Sequence, residues 1–256
     1  MRILAVESDP FHQMMYRSSG RRGVVRSIIL PFYKVKVDSL PDGITAFVAT
    51  SDLQGRERDK RSNRLVGEAV AEELLLLQQL EEIPTVNFVV LAGDLYDYPE
   101  CHKLGGTGDV TSVWNAFAQS FDSVVGVHGN HDAITEVDMA ANTIVLDGNT
   151  TNLNSLTIGG VCGIIGRVER NQRKTEEQFK KSLENITSSK TDLVVLHQGP
   201  DDPINNQKGE PFIREHLENN GSSIVIFGHC HWDKPLIEIG DNQVLNVDNR
   251  VYIFTE

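Results

Sequence analysis

Two histidines, His229 and His231, stand either side of Cys230 in "FGHCHW", directly after the apolar run "SSIVIF". In an extended segment residues i and i+2 project to the same side, so both imidazoles can face one cluster while Cys230 looks away. Apolar runs that stop at ligand-type side chains recur along the chain. Asp52 follows "TAFVATS", Asp94 follows "FVVLAG", Asn130 and His131 follow "SVVGVHG", and His197 follows "DLVVL". Gln54 stands two residues after Asp52, at the spacing of the histidine pair. Glycines at 93, 129 and 228 come just before these groups, where a tight backbone turn has no room for a side chain. Carboxylate, imidazole and amide oxygen together make a hard-to-borderline donor set. Such a set suits Mn, Fe, Zn or Ni better than Ca or a structural zinc.

For donors so far apart in sequence to meet, the runs that carry them must be strands that share one rim. In open α/β sheets that rim lies outside the carboxyl ends of the strands. The rest of the sequence supplies the elements such a fold needs. "RILAV" and "RSIILPFYKVKV" read as extended, and Pro31 predicts an edge position or a bend in the second. Helices are predicted over 60–82, where Pro84 stops the run, over 110–121 and over 174–187. A short helix is predicted in "GEPFIREHLENNG", with Gly221 ending it. After "SIVIFGHCHW", the segments "PLIEIG", "QVLNV" and "VYIFT" predict an antiparallel meander with turns at "GDN" and "DNR". Alternating strands and helices indicate an α/β fold with a mixed sheet. No repeat or linker divides the chain, so one domain over 1–256 is expected.

Composition narrows the function classes. With 39% hydrophobic and 23% charged residues, the chain belongs with folded globular proteins. No apolar stretch approaches the roughly 18 to 20 residues that span a bilayer. Glu7 and Asp9 stand where a signal peptide needs an apolar core, so a cytoplasmic location and no membrane partner are expected. Three cysteines without a CxxC spacing argue against a disulfide framework or a zinc knuckle. Cys101 is expected as an exposed thiol, Cys162 and Cys230 as small buried residues, and His128 as a core histidine. The net charge of -12 opposes a long nucleic-acid duplex, yet a small phosphate ester remains compatible because bound cations reverse the local field. Two short basic clusters, "RSSGRR" and "GRERDKRSNR", read first as solvated loops. Arg56 in the second, and Arg167 further on, are candidates for a phosphate contact.

Taken in order, "SDLQG", "GDLYD", "GNHD", "LHQG" and "GHCH" closely resemble the motifs of the calcineurin-like metallophosphoesterases, from about residue 45 to the end. The resemblance implies an α/β fold built as a four-layer α/β/β/α sandwich, two mixed sheets flanked by helices, with a two-metal centre. It implies Asp52, Gln54, bridging Asp94 and His231 at the first metal, and Asp94, Asn130, His197 and His229 at the second. It implies His131 as the catalytic histidine, Asp132 holding its ring, and Asp97 supporting the site. The expected cofactor is a pair of divalent ions, Mn2+ first, with Fe, Zn, Ni or Mg as alternatives. The family pattern has histidine where Gln54 stands, which weakens the first site and favours an oxygen-rich shell there. The implied activity is hydrolysis of a phosphate ester by metal-activated water. The protein-phosphatase branch carries an arginine that "GDLYDYPE" lacks, so a small phosphodiester or phosphomonoester is expected, a nucleotide among them. The alternatives are a nuclease acting on short or structured ends and a metal-binding, non-enzymatic scaffold. Residues 1–44 lie outside the resemblance as an N-terminal extension, expected to add edge strands or to pair subunits in a homo-oligomer. Residues 98–109 are an insertion expected as either a lid or a surface loop.

Overall fold

The apolar runs that end in ligand-type residues become central strands, buried on both faces. In the computed structural model, which describes residues 1–256 with Glu136 by its backbone alone, they fall into two stacked sheets. Phe47–Thr50, Phe88–Leu91 and Ser123–Gly126 run parallel, side by side, in a nine-stranded sheet. Its order is Thr143–Val145, Ser123–Gly126, Phe88–Leu91, Phe47–Thr50, Val251–Thr255, Val25–Val37, His12–Ser19, Arg56–Glu57, and Ile3–Val6 also pairs with Val25–Val37. Leu193–Gln198 and Ile224–Gly228 are parallel neighbours in a six-stranded sheet. The order there is Asn149–Leu153, Leu156–Val161, Leu193–Gln198, Ile224–Gly228, Asn242–Asn246, Leu236–Ile239.

Side-chain alternation along these strands builds three cores and therefore four layers. Val48, Val89 and Val124 face outward onto helices α1 (Val66–Gln79) and α2 (Thr111–Ser120), meeting Val70, Leu74, Trp114 and Phe117. Their neighbours Phe47, Val90 and Val125 face inward, against Ile158, Val195 and Ile226 of the second sheet. The outer face of that sheet packs Val194, Val225 and Val244 on Phe179 and Leu183 of α3 (Glu176–Thr187) and on Ile213 and Leu217 of α4 (Pro211–Asn219). The result is the expected α/β/β/α sandwich.

Three local expectations are corrected. Helix α1 begins at Val66, not near residue 60, because Arg64 is drawn to Glu57 at 2.8 Å and the edge strand Arg56–Glu57 holds the preceding loop. Strand Val25–Val37 runs unbroken through Pro31 in the sheet interior. Its pairing with Val251–Thr255 starts at Phe32, so the missing N–H of Pro31 falls outside that ladder. The meander is only a hairpin of Leu236–Ile239 and Asn242–Asn246. Val251–Thr255 leaves it and crosses to the large sheet, where Phe254 stacks on Phe47 with ring centroids 4.2 Å apart.

Residues 1–44 are woven into this frame. Leu30 and Phe32 belong to the helix-facing core, while Val35 and Val37 belong to the core between the sheets. Ile3 is tied to the second sheet by Gln243, whose amide accepts the Ile3 N–H at 2.6 Å and donates to the Ile3 carbonyl at 2.9 Å.

Candidate metal centre

At the shared rim, three non-glycine residues adopt the left-handed backbone conformation: Asp52 (φ 54°), Asp94 (φ 57°) and His229 (φ 68°). Each such residue costs on the order of 1 kcal/mol or more, and such costs concentrate where function requires them. Hydrogen bonds hold the three turns together. Asp52 N–H donates to the Gly93 carbonyl at 2.8 Å, and His229 N–H donates to Asp52 Oδ2 at 2.9 Å. The loops also touch backbone to backbone. A Cβ on Gly129 would stand 2.7 Å from Asp94 Cγ and closer still to its Oδ1 and N, so only glycine fits.

Asp94, His197 and His229 bring one potential ligand atom each within 4.8 Å of one another. His197 Nδ1 lies 2.8 Å from the Ala92 carbonyl, which fixes its proton there and leaves Nε2 to face Asp94 Oδ1 at 3.4 Å. Asn130 is 5% exposed, and its Oδ1 has no hydrogen-bond partner among the described residues. A buried acceptor left without a donor costs about 1 to 3 kcal/mol, and a cation there would offset it. Gln54 reaches the same carboxylate, its Nε2 3.0 Å from Asp94 Oδ2. His131 donates its backbone N–H to Asp94 Oδ1 at 2.9 Å; its ring is half-buried, with Nδ1 buried and unpartnered among the described residues. His231 is set apart: its Nδ1 lies 3.4 Å from Asp248 Oδ2 and its Nε2 3.1 Å from Arg250 Nη2. The donor types and the orphaned oxygen fit divalent cations.

The sequence profile of the family described as calcineurin-like phosphoesterase matches residues 45–233. The chain belongs to that family. Membership supports metal-dependent phosphoesterase activity and makes this phosphoesterase chain a hydrolase by class. One solved crystal structure shares the fold with a TM-score of 0.56 at 12% identity, over 82% of this chain and 91% of its own. Phosphopantetheinyl hydrolase from Mycobacterium tuberculosis aligns at 13% identity over 82% of this chain and 91% of its own, with a TM-score of 0.46. No curated protein matches the sequence.

Within this phosphoesterase chain, burial and charge set the protonation of the donors. Burial, then the nearby Asp248 carboxylate, raises Asp52 well above the usual range. Burial alone would raise Asp94 too, yet the His197 imidazole beside it holds it below its ordinary value. Burial works against a charge on His197, but the Asp94 carboxylate overrides it and lifts the imidazole to about 10. His229 is pushed down to about 4 by burial and by His197.

Several residues take roles other than those expected. Asp132 does not hold the His131 ring. It is fully buried, and its oxygens accept the backbone N–H groups of Asp94 at 2.8 Å, Leu95 at 2.7 Å and Gly129 at 2.8 Å. It clamps the Asp94 turn to the loop that carries Asn130 and His131. Asp97 turns to the N-terminal hairpin, accepting the Ser19 N–H at 2.8 Å. The Arg56 guanidinium is consumed by the Asp97 carbonyl, at 2.9 and 2.6 Å, and lies over the Tyr96 ring, so it does not reach for a phosphate. Arg167 is exposed on a turn. Cys101, expected at the surface, is 0% exposed under the hairpin, with its Sγ 3.7 Å from the Arg17 carbonyl. His128 sits in the core beside Trp114, and burial pushes it down to about 4. Asp248 escaped sequence reading. In "NVDNRVY" it has the look of a turn former, and only the crossing of the chain between the sheets brings it to Asp52 and His231.

Proposed function

We propose that this chain hydrolyses a small phosphate ester, a phosphodiester or phosphomonoester, with two divalent cations of which Mn2+ is the expected one. The observation that supports the reading most is the convergence of Asp94, His197 and His229 within 4.8 Å, beside a buried and unpartnered Asn130 oxygen. Asp52, Gln54, Asp94 and His231 are assigned to the first metal, His231 by exchanging its contact with Asp248 or Arg250 for the ion, and Asp94, Asn130, His197 and His229 to the second. Bound cations would supply Lewis-acid charge for the phosphoryl oxygens and lower the pKa of a coordinated water. The two oxygens of Asp94 can serve both positions. His131, tied to Asp94 through its backbone N–H, holds or delivers a proton at the leaving oxygen. Asp132 keeps the two loops in register for that purpose. Residues 1–256 are read as one domain, with 1–44 as an extension of its core. The free thiols Cys101, Cys162 and Cys230 suit a reducing cytoplasm.

Turnover of p-nitrophenyl phosphate, bis-p-nitrophenyl phosphate and cyclic nucleotides, with Mn2+ and with Mg2+, tests the reading. His131→Ala should lose roughly 10²- to 10⁴-fold in kcat while keeping Mn2+ affinity. Equal turnover in both proteins would remove His131 from the reaction. An absence of turnover with every ester and both ions would refute the hydrolase reading and favour the metal-binding scaffold.

A further inference from the structure

The N-terminal hairpin lies outside the span matched by the family and carries a charge opposite to that of the whole molecule. Residues 10–37 contain six Lys and Arg and no Asp or Glu, in a chain of net charge -12. Four of the six, Arg17, Arg21, Arg22 and Arg26, cluster at its end. The loop 56–64 adds five more cations against two acids. Arg21, Arg22, Arg26, Lys60, Arg61 and Lys103 are exposed, and none forms an ion pair among the described residues.

This basic surface adjoins the segment that reaches the metal centre. Arg17 and Val25 of the hairpin share a cleft of about 320 Å³ with Lys60, Asn63, Pro99 and Glu100. Gly23, at the tip, has room for a Cβ only 3.5 Å from the His102 carbonyl. Gly105, three residues on, would place a Cβ 3.3 Å from His131 Cε1. Lys103 precedes Gly105 by two residues, so at most about 7 Å of chain separates them. Aromatic rings lie along the same path. Tyr98 is half-buried with its ring centroid 5.0 Å from that of His102, whose side chain is 56% exposed. The acid in the cleft, Glu100, is 3.7 Å from His102 Nδ1.

We propose that the hairpin tip, the 56–61 loop and the 102–103 segment form a docking surface for single-stranded nucleic acid, whose end reaches the metal centre past His131. The inference rests on the phosphoesterase reading of that centre for its catalytic meaning, and on local charge for binding. At physiological ionic strength the screening length is about 8 Å, so an approaching strand senses the basic tip rather than the net charge. Unpaired arginines and accessible rings on one surface are the elements that hold single strands, through phosphate contacts and base stacking.

Binding of the full-length, Mn2+-loaded protein to a fluorescein-labelled, phosphorothioate-linked twelve-residue oligo-dT, measured by anisotropy across a salt series, tests the proposal. The triple variant Arg21→Ala/Arg22→Ala/Arg26→Ala should bind at least tenfold more weakly. Its slope of log K against log salt should shrink by about 2, since each lost phosphate contact removes about 0.7 for a single strand. Its turnover of bis-p-nitrophenyl phosphate should be unchanged. The variant Lys60→Glu/Lys103→Glu, on separate segments, should weaken the oligomer in the same way. Unchanged affinity and slope in both variants, or thymidine monophosphate binding as tightly as the oligomer, would overturn the proposal. Parallel loss of bis-p-nitrophenyl phosphate turnover would also overturn it. If no ester is hydrolysed while oligo-dT binds with an arginine-dependent slope, the docking surface stands and the hydrolase reading falls.

Discussion

Replacing Gly129 by alanine tests whether the metal donors depend on two loops packed backbone against backbone. The added methyl would stand 2.7 Å from Asp94 Cγ and inside that distance from Asp94 N, a main-chain atom that cannot swing away. Relief requires moving either the Gly129 loop or the Asp94 turn, and Asp132 binds both, with N–H contacts of 2.8 Å to each. Overpacking costs about 1 to 3 kcal/mol, and losing one hydrogen bond to a charged acceptor costs about 1.5 to 3 kcal/mol, so a loss of about 3 to 5 kcal/mol is expected. At about 2 to 4 °C per kcal/mol for a chain of this size, the melting temperature should fall by roughly 10 °C. Because Asp94 must shift, Mn2+ affinity measured by titration calorimetry should weaken by more than about tenfold, or about 1.4 kcal/mol. Gly228→Ala provides the contrast. There the methyl meets Asp52 Oδ2 and Ser51 Oγ, side-chain ends that can rotate away, and no main-chain atom among its nearest contacts, although Ser51 Cβ at 2.9 Å must give by a few tenths of an ångström. Stability should fall by only about 1 kcal/mol while Mn2+ affinity still drops. A Gly129→Ala protein that melts within about 2 °C of wild type and binds Mn2+ equally well would refute the reasoning. So would a Gly228→Ala protein that is the less stable of the two.

Metal binding should release protons, because an imidazole must be neutral to ligate. His197 lies near 10 before binding and His229 near 4, so at pH 8 about one proton, from His197, should appear. Calorimetry in buffers of different ionisation enthalpy counts it, and zero release would remove the His197–Asp94 ion pair from the account. Stability should also vary with pH through His128, whose folded value of about 4 lies below the ordinary 6.5. Above pH 6.5 neither state is protonated and nothing is lost. As pH falls below 6.5 the unfolded chain takes up the proton first, so stability should decline by about 2 kcal/mol by pH 5. Denaturant melts of wild type and His128→Gln between pH 5 and 7 check this, and a slope that persists in the variant would assign it to other groups.

Asp132 shows how far sequence neighbours mislead. Adjacent to His131, it invited a role on that ring, yet its oxygens serve N–H groups 37 and 38 positions away as well as Gly129 nearby. His197 shows the opposite. Its position at the end of "DLVVL" announced both the strand and a polar side chain at the shared rim beside Asp94, since a run buried on both faces must stop where polar groups begin. Helix α1 was legible in composition but not in its start, because Arg64 answers to Glu57 and Glu72 rather than to the helical period. Cys101 was unreadable for a related reason: the segment that covers it, the hairpin, lies some eighty positions earlier, with Arg17 84 residues away.

What the sequence determined by itself was the strands that end in candidate donors and the layered α/β class. These follow from spacing between near neighbours, where alternation and run length carry the information. Tertiary structure decided that Val251–Thr255 joins the far sheet, that Asp248 arrives beside Asp52 and His231, and that a basic hairpin lies against the loop at His131. The physical reason is pairing across long separations: Phe254 stacks on Phe47 and Gln243 grips Ile3 through contacts between chain ends, which no local period encodes.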